Sequence, residues 1–135
     1  MGAANRNGVV NVMAELGGGN CVTPDVLRRT ERGLRRILHA LGMLPGHEPD
    51  EAHGTRALNA KGSVYAYDAG LFEPLKTIGD AVASGEVIAR IHHPETPGRA
   101  PDEVVSHHEG IVLAMRAMAQ VRRGDALYQI AADAG

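Results

Sequence analysis

A carboxylate beside a run of glycines is the feature of this 135-residue chain with the clearest chemical potential. Glu15 closes a mostly apolar run at residues 9–14 and is followed by Leu16 and the three glycines Gly17–Gly19. Such a run favours a buried strand that ends in a tight loop, and α/β enzymes place catalytic groups at strand ends. Glycines would also let a ligand approach the backbone closely. The alternative interpretation of Glu15 is an ordinary surface acid before a turn.

A single cysteine and seven histidines are the other candidates. Cys21 has no second cysteine for a disulfide or a thiolate metal site, so it is either a nucleophile or a passive side chain. The pairs His92–His93 and His107–His108 could each supply one imidazole, with Glu95 or Glu109, to a metal site across a hairpin. Surface histidines near a hairpin are the competing interpretation. The remaining histidines form no ligand spacing: His39, His47 and His53.

The composition excludes several classes of function. A formal net charge of −2, with 44% hydrophobic and 22% charged residues, is typical of an ordinary globular protein and argues against general nucleic-acid binding. The scarcity of aromatic residues also argues against platforms that stack bases. No stretch approaches the roughly 18 apolar residues of a membrane span, and residues 1–7 lack the apolar core of a signal peptide. We therefore expect a cytoplasmic protein with no membrane partner.

The residues after the glycines predict an amphipathic helix that runs to about Leu41. Thr23 can cap it, Pro24 suits its first turn, and Asp25 complements the positive end of its dipole. The apolar positions fall in one arc: Val26, Leu27, Leu34, Ile37, Leu38 and Leu41. An arginine stripe lies opposite, and it is either a phosphate-binding face or a solvated one: Arg28, Arg29, Arg32, Arg35 and Arg36.

A polar, proline-broken segment at residues 47–54 divides the chain. Before it, residues 1–46 carry six arginines and three acids, net +3, whereas the remainder has net charge −5. We therefore predict a first domain at 1–46, a linker at 47–61 and a second domain at 62–135.

The second domain contains an internal repeat. Residues 82–91 and 121–130 both fit Val-x-x-Gly-acid-x-aliphatic-x-x-Ile. Each copy places a Gly-acid turn before a short apolar strand. Further strand-like segments occupy 62–67, 69–72, 103–105 and 110–115. The pattern predicts a small all-β unit with quasi-twofold symmetry.

This repeat, over residues 62–131, resembles the lipoyl and biotinyl carrier fold, a flattened barrel of two related sheets known as a barrel-sandwich hybrid. Carriers of that fold attach their cofactor to a lysine on a hairpin between the two halves. The corresponding segment here, residues 94–101, contains no lysine, and both lysines of the chain, Lys61 and Lys76, precede the first copy. The resemblance therefore favours a structural or lid domain over a carrier.

The order of these features resembles the carboxy-terminal portion of the succinylglutamate desuccinylase/aspartoacylase family. The resemblance rests on Met13–Gly18, the helix that begins at Thr23–Pro24 and ends near 38–46, and the segment Gly70–Pro74. The longer Glu-Leu-Gly-Gly-Gly form is similar to a subgroup that includes the deacetylase of ectoine breakdown. The implied fold class is α+β: a strand-helix remnant of a zinc-carboxypeptidase-like α/β domain, followed by the β domain.

The resemblance implies a zinc-dependent hydrolase that removes an acyl group from an N-acyl amino acid, with Glu15 as its catalytic glutamate. The family's zinc ligands, a His-x-x-Glu pair and a distant histidine, lie upstream of the Glu-Leu-Gly strand, and none of the fourteen residues before Glu15 is a histidine. We therefore expect no metal ligands in this chain and no activity without an amino-terminal half. That half, or a homo-oligomer, is the expected protein partner. A non-catalytic interaction or oligomerisation module is the alternative function.

Overall fold

The computed structural model of the chain describes residues 2–19, 21–50 and 56–134. It divides into unit 1, Met1–Ala52, and unit 2, His53–Gly135. His53 and part of the predicted linker lie outside the described residues. Among the residues described, no helix is long and apolar enough to cross a membrane.

Unit 1 contains, within its described residues, the helices α1 (Gly2–Arg6) and α2 (Pro24–Ala40). The sequence did not indicate α1, whereas α2 has the predicted start, because the Thr23 hydroxyl accepts a hydrogen bond of 3.3 Å from the Val26 backbone N–H. Its end is a Schellman-type cap in which Gly42 adopts a positive φ of 72°. The backbone N–H groups of Gly42 and Met43 donate to the carbonyls of His39 and Leu38, each at 2.9 Å.

The strand predicted for residues 9–14 is wrong. Residues 9–17 belong to no sheet, and the one β-bridge in the described part of unit 1 joins Gly18 to Cys21. A strand is stabilised by hydrogen bonds to a neighbouring strand, and the described residues of unit 1 provide none along this run. The sequence correctly predicted a glycine loop after Glu15, because Gly17 and Gly19 both have positive φ angles, 80° and 64°.

Unit 2 consists, over residues 56–134, of eight antiparallel strands, which confirms the predicted all-β unit. They are β1 (Leu58–Tyr65), β2 (Gly70–Pro74), β3 (Ala81–Val82), β4 (Val87–His92), β5 (Asp102–Val105), β6 (Gly110–Met115), β7 (Gln120–Val121) and β8 (Ala126–Asp133). They form two four-stranded sheets with the orders β1-β8-β6-β3 and β5-β4-β2-β7. Strand β1 begins inside the segment predicted as linker.

The two repeat copies form β3–turn–β4 and β7–turn–β8, and in each copy a matching turn connects a strand of one sheet to a strand of the other. Gly85 and Gly124 have positive φ angles of 85° and 89°, which glycine adopts without strain. The acid that follows accepts a hydrogen bond from the backbone N–H three residues before it, at 2.9 Å for Glu86 and 2.8 Å for Asp125. The repeat therefore encodes one turn used twice, as its sequence predicts.

Equivalent apolar residues of the two copies lie in one core. Val82 and Val121 are buried, as are Ile91 and Ile130, and all four belong to the same cluster. Tyr128 lies in this core and donates its hydroxyl hydrogen to backbone carbonyls at 3.0 and 3.1 Å. Among the described residues, every buried apolar side chain belongs to unit 2.

A second symmetric feature was not apparent from the sequence. At both Gly70 and Gly110, a Cβ atom would collide with a backbone carbonyl, that of His92 in the first case and of Ala131 in the second. Each glycine thus allows its strand to approach a neighbour closely. The quasi-twofold relation consequently extends beyond the ten-residue repeat.

Candidate functional site

Glu15 lies on an exposed loop of unit 1. It lines a shallow depression with Leu16, the glycines Gly17–Gly19, Cys21 and Val22. None of the hydrogen bonds or ion pairs formed between described residues involves its carboxylate, which is therefore open to solvent and to a ligand. The Cys21 thiol is also exposed and donates a weak hydrogen bond of 3.4 Å to the Gly19 carbonyl.

Metal-binding donors do not surround Glu15 in the described part of the chain. Over residues 2–19, 21–50 and 56–134, one group of three potential ligands has its donor atoms within 4.8 Å of one another, and it belongs to unit 2. It consists of Asp68, His93 and Asp102. The sequence had not brought these three residues together, although it had singled out His93.

The fold of the β4–β5 hairpin places His93 against Asp102. His93 follows the last residue of β4, and Asp102 begins β5 opposite Ile91. Between them, two successive turns are closed by hydrogen bonds from the Thr96 backbone N–H to the His93 carbonyl and from the Arg99 N–H to the Thr96 carbonyl, at 3.0 and 3.1 Å. The hairpin therefore carries both members of the pair on one rigid frame.

The imidazole of His93 is buried, with 1% of its side chain exposed, and it lies between carboxylates. Its Nε2 atom is 2.8 Å from Asp102 Oδ2, and its Nδ1 atom is 3.6 Å from Glu95 Oε1. The hydrogen bond from His93, together with the charge of Arg99, lowers the pKa of Asp102, while partial burial opposes the shift. The pair is thus a charge-assisted contact between a buried ring and a half-exposed acid.

Arg99 supplies the positive charge of this cluster. Its Nη2 atom lies 2.8 Å from Asp102 Oδ2 and 3.4 Å from Asp68 Oδ2, so that one guanidinium nitrogen bridges both carboxylates. The pKa of Asp68 is lowered, first by the hydrogen bond from the Ala69 backbone N–H and then by Arg99. Because a guanidinium already fills the cation position, these donors do not fit a zinc site, and the cluster is an ion-pair network that fixes the hairpin.

The other histidines have separate environments. His92 points away from His93, as neighbours on a strand do, and its Nε2 atom lies 2.7 Å from Glu73 Oε2. That hydrogen bond is the main reason why the pKa of Glu73 is lowered. The His108 ring covers Gly62, where a Cβ atom would collide with it. Within the described residues, the pairs 92–93 and 107–108 contribute to no common ligand group, so the predicted alternative of a metal site across the hairpin does not form.

The chain is similar over nearly its whole length to part of several longer proteins. It is 36% identical over 132 residues to the N-alpha-acetyl-L-2,4-diaminobutyric acid deacetylase of Halomonas elongata, a match that covers 96% of this chain and 39% of the relative. No model of a known protein family matches the chain.

Two solved structures extend the similarity to the fold. The succinylglutamate desuccinylase/aspartoacylase of Rhodobacter sphaeroides is 31% identical and gives a TM-score of 0.84 over 98% of this chain and 42% of that one. The product-bound ectoine utilization protein EutE (DoeB) of Ruegeria pomeroyi is 26% identical, with a TM-score of 0.83 over 97% of this chain and 40% of its own. The chain thus spans about two fifths of the length of these relatives.

Proposed function

Because this chain belongs to the succinylglutamate desuccinylase/aspartoacylase family and spans about two fifths of the length of its relatives, we propose that it is the carboxy-terminal part of a deacylase. The proposed reaction is hydrolysis of the amide bond of an N-acyl amino acid. The observation that carries the proposal is the match to a deacetylase at 36% identity over 96% of the chain. That match is long enough to include both units.

Glu15 is the proposed proton-transfer residue of this reaction. A carboxylate beside the scissile amide can take a proton from the attacking water and deliver it to the leaving amine, so that one group serves as base and then as acid. Two features support the role. The Glu15 side chain is exposed on the rim of a depression, and the neighbouring glycines leave space for substrate.

The zinc implied by the family resemblance would need ligands from elsewhere in the enzyme. The described residues around Glu15 offer no group of three donors, and Arg99 already neutralises the Asp68–His93–Asp102 cluster. We propose that the ligands belong to the portion of the relatives for which this chain has no counterpart. The two sheets of unit 2 are proposed to form a barrel-sandwich hybrid that carries no attached cofactor.

The proposal is tested by supplying that portion. The part of the Halomonas elongata deacetylase outside the 132-residue match would be fused to, or mixed with, this chain in the presence of zinc. Release of acetate from N-acetyl-diaminobutyrate would then be measured. We expect hydrolysis from the combination and none from the 135-residue chain alone.

Glu15→Gln and Glu48→Gln provide the matched comparison. Both residues are exposed acids of unit 1, and the amide retains the shape while removing proton transfer. Glu15→Gln should lower turnover on the order of a hundredfold or more, whereas Glu48→Gln should not change it. Robust hydrolysis by the isolated chain, or a combined enzyme indifferent to Glu15→Gln, would overturn the proposed role.

A non-catalytic interaction module is the second candidate function. The observation that favours it is the complete core of unit 2, which contains every buried apolar side chain in the described part of the chain. Such a unit could fold and bind a partner without the rest of an enzyme. This alternative gains if the combined polypeptides form a stable complex that hydrolyses no N-acyl amino acid.

A further inference from the structure

Unit 1 exposes the apolar surface that a folded α/β domain would bury. No residue of α2 is buried, although its apolar side chains form one arc. Leu34, for example, is 55% exposed, and Leu27, Ile37 and Leu41 are exposed as well. In a globular protein, such an arc normally packs against the core.

The segment 9–16 has the same property. Most of its residues are apolar and exposed, and the most exposed of them, Val10, is 86% accessible. Beyond the bond from the Val9 N–H to the Ala4 carbonyl, no backbone hydrogen bond between described residues involves the N–H groups of this segment. A mostly apolar run whose backbone N–H groups lack partners among the described residues is typical of a strand that pairs and packs inside a larger sheet.

The lengths of the relatives indicate what covers this surface. The chain keeps a TM-score of 0.84 with a protein of which it represents 42%. The same fold of the chain therefore exists beside a polypeptide portion longer than the chain itself. A second copy of this chain would add another helix with unpaired apolar residues but no described sheet in unit 1 to accept segment 9–16.

We propose that the α2 arc and segment 9–16 form a docking surface for the remaining portion of a desuccinylase/aspartoacylase-type polypeptide, with segment 9–16 paired as a strand in its sheet. This inference rests on the proposed function, because it takes the occupant from the same family. It adds the site and the mode of association, which is strand addition together with packing of an apolar helix face.

Binding, measured apart from activity, tests the inference. The portion of the Halomonas elongata deacetylase outside the match is the probe, and its affinity for the full 135-residue chain is measured by titration calorimetry. Leu34→Asp places a charge in the proposed interface and should weaken binding about a hundredfold or more. Leu113→Asp makes the same change at an exposed leucine of unit 2 and should leave the affinity unchanged.

Hydrogen exchange tests the strand pairing. The amides of residues 9–16 should exchange fast in the isolated chain and become protected in the complex, while those of β4 and β8 stay slow in both. Should the probe be insoluble alone, it is co-expressed with the chain, and its recovery in soluble complex must be lost with Leu34→Asp. Either fast exchange of 9–16 in the complex or equal effects of the two Asp variants would overturn the proposal.

The result also separates this inference from the proposed function. A tight complex that is weakened by Leu34→Asp but hydrolyses nothing would support the surface and contradict the deacylase assignment. Hydrolysis that is insensitive to Leu34→Asp would support the deacylase assignment and contradict the proposed docking surface. A homodimer of the isolated chain that Leu34→Asp dissociates would assign the surface to a second copy and reject the proposed occupant.

Discussion

Truncation of the two equivalent isoleucines should destabilise unit 2 to a similar extent. Ile91 and Ile130, 1% and 0% exposed, lie in the same apolar cluster at matching positions of the repeat. Each lies beside one of the close-packed glycines, Ile91 near Gly70 and Ile130 near Gly110. Because these environments match, Ile91→Ala and Ile130→Ala should cost similar free energies of unfolding.

The magnitude follows from the burial of each side chain. Ile→Ala removes three carbon atoms that make full contact with the core, and such changes cost about 2–5 kcal/mol because a cavity remains. For a domain of the size of unit 2, a loss of about 3 kcal/mol lowers Tm by roughly 12–24 °C. Both variants should therefore melt well below the parent chain. Leu113→Ala, at a leucine that is 42% exposed, should cost about 0.5 kcal/mol or less.

Tyrosine fluorescence reports on this unit alone. The chain has no tryptophan, and all three tyrosines lie in unit 2: Tyr65, Tyr67 and Tyr128. Urea and thermal unfolding followed by this signal would give the free energy of unfolding of unit 2 without a contribution from α2. If Ile91→Ala cost less than half as much as Ile130→Ala, the claim that the repeat builds equivalent halves of one core would be refuted.

Three further substitutions test individual contacts. Burial raises the pKa of Tyr128. The neutral hydroxyl therefore stabilises unit 2 fully below the unfolded pKa of about 10, and this stabilisation is lost as the pH rises through the higher folded pKa. Tyr128→Phe should remove this alkaline transition. Gly110→Ala drives a Cβ into the Ala131 carbonyl and should destabilise unit 2 by more than about 1 kcal/mol. The hydrogen bond from His93 is the main reason why the pKa of Asp102 is lowered. The ionised carboxylate therefore stabilises unit 2 above the unfolded pKa of about 4, and this stabilisation is lost as the pH falls through the lower folded pKa. Asp102→Asn should lower the urea midpoint at pH 7, and its difference from the parent chain should shrink in acid.

Matched controls accompany these three variants. Tyr65→Phe changes an exposed tyrosine and should keep the alkaline transition. Gly33→Ala, in α2 with open space around the new methyl group, should be neutral or stabilising by up to about 1 kcal/mol. Glu103, the acid next to Asp102, forms no ion pair with a described residue. Glu103→Gln should therefore leave the urea midpoint unchanged.

Local signals in the sequence were sufficient for much of the fold. Thr23, Pro24 and Gly42 define the ends of α2 through contacts within a few residues, so the sequence predicted both ends closely. The Gly-acid turns are equally local, because each acid bonds a backbone N–H three residues away. Strand positions followed from these turns. The close approach of Gly70 and Gly110 to the carbonyls of His92 and Ala131 depends on which strands become neighbours in a sheet, which no local pattern specifies.

Non-local contacts explain the two points at which prediction from the sequence failed, the strand at residues 9–14 and the cluster around His93. The run at 9–14 has the residues of a buried strand, but a strand requires a partner, and the described part of unit 1 supplies none. The cluster around His93 depends on the register of β4 with β5 and on Asp68 from a separate loop. A signal for part of it was present, since Asp102 opens the strand that returns from the hairpin, but the hairpin register had to be known before the pair could be assigned.

The contrast between the units bears directly on Glu15. A proton-transfer residue must be held within about half an ångström of its productive position, which requires neighbours that fix its loop. Unit 2 has such packing, whereas in unit 1 the loop of Glu15 follows a segment with exposed apolar side chains and unpaired backbone groups. The proposed docking of segment 9–16 into a sheet would anchor the residue immediately before the glycines. Pairing of that segment would therefore complete the domain and, in the same step, position the carboxylate that we propose for proton transfer.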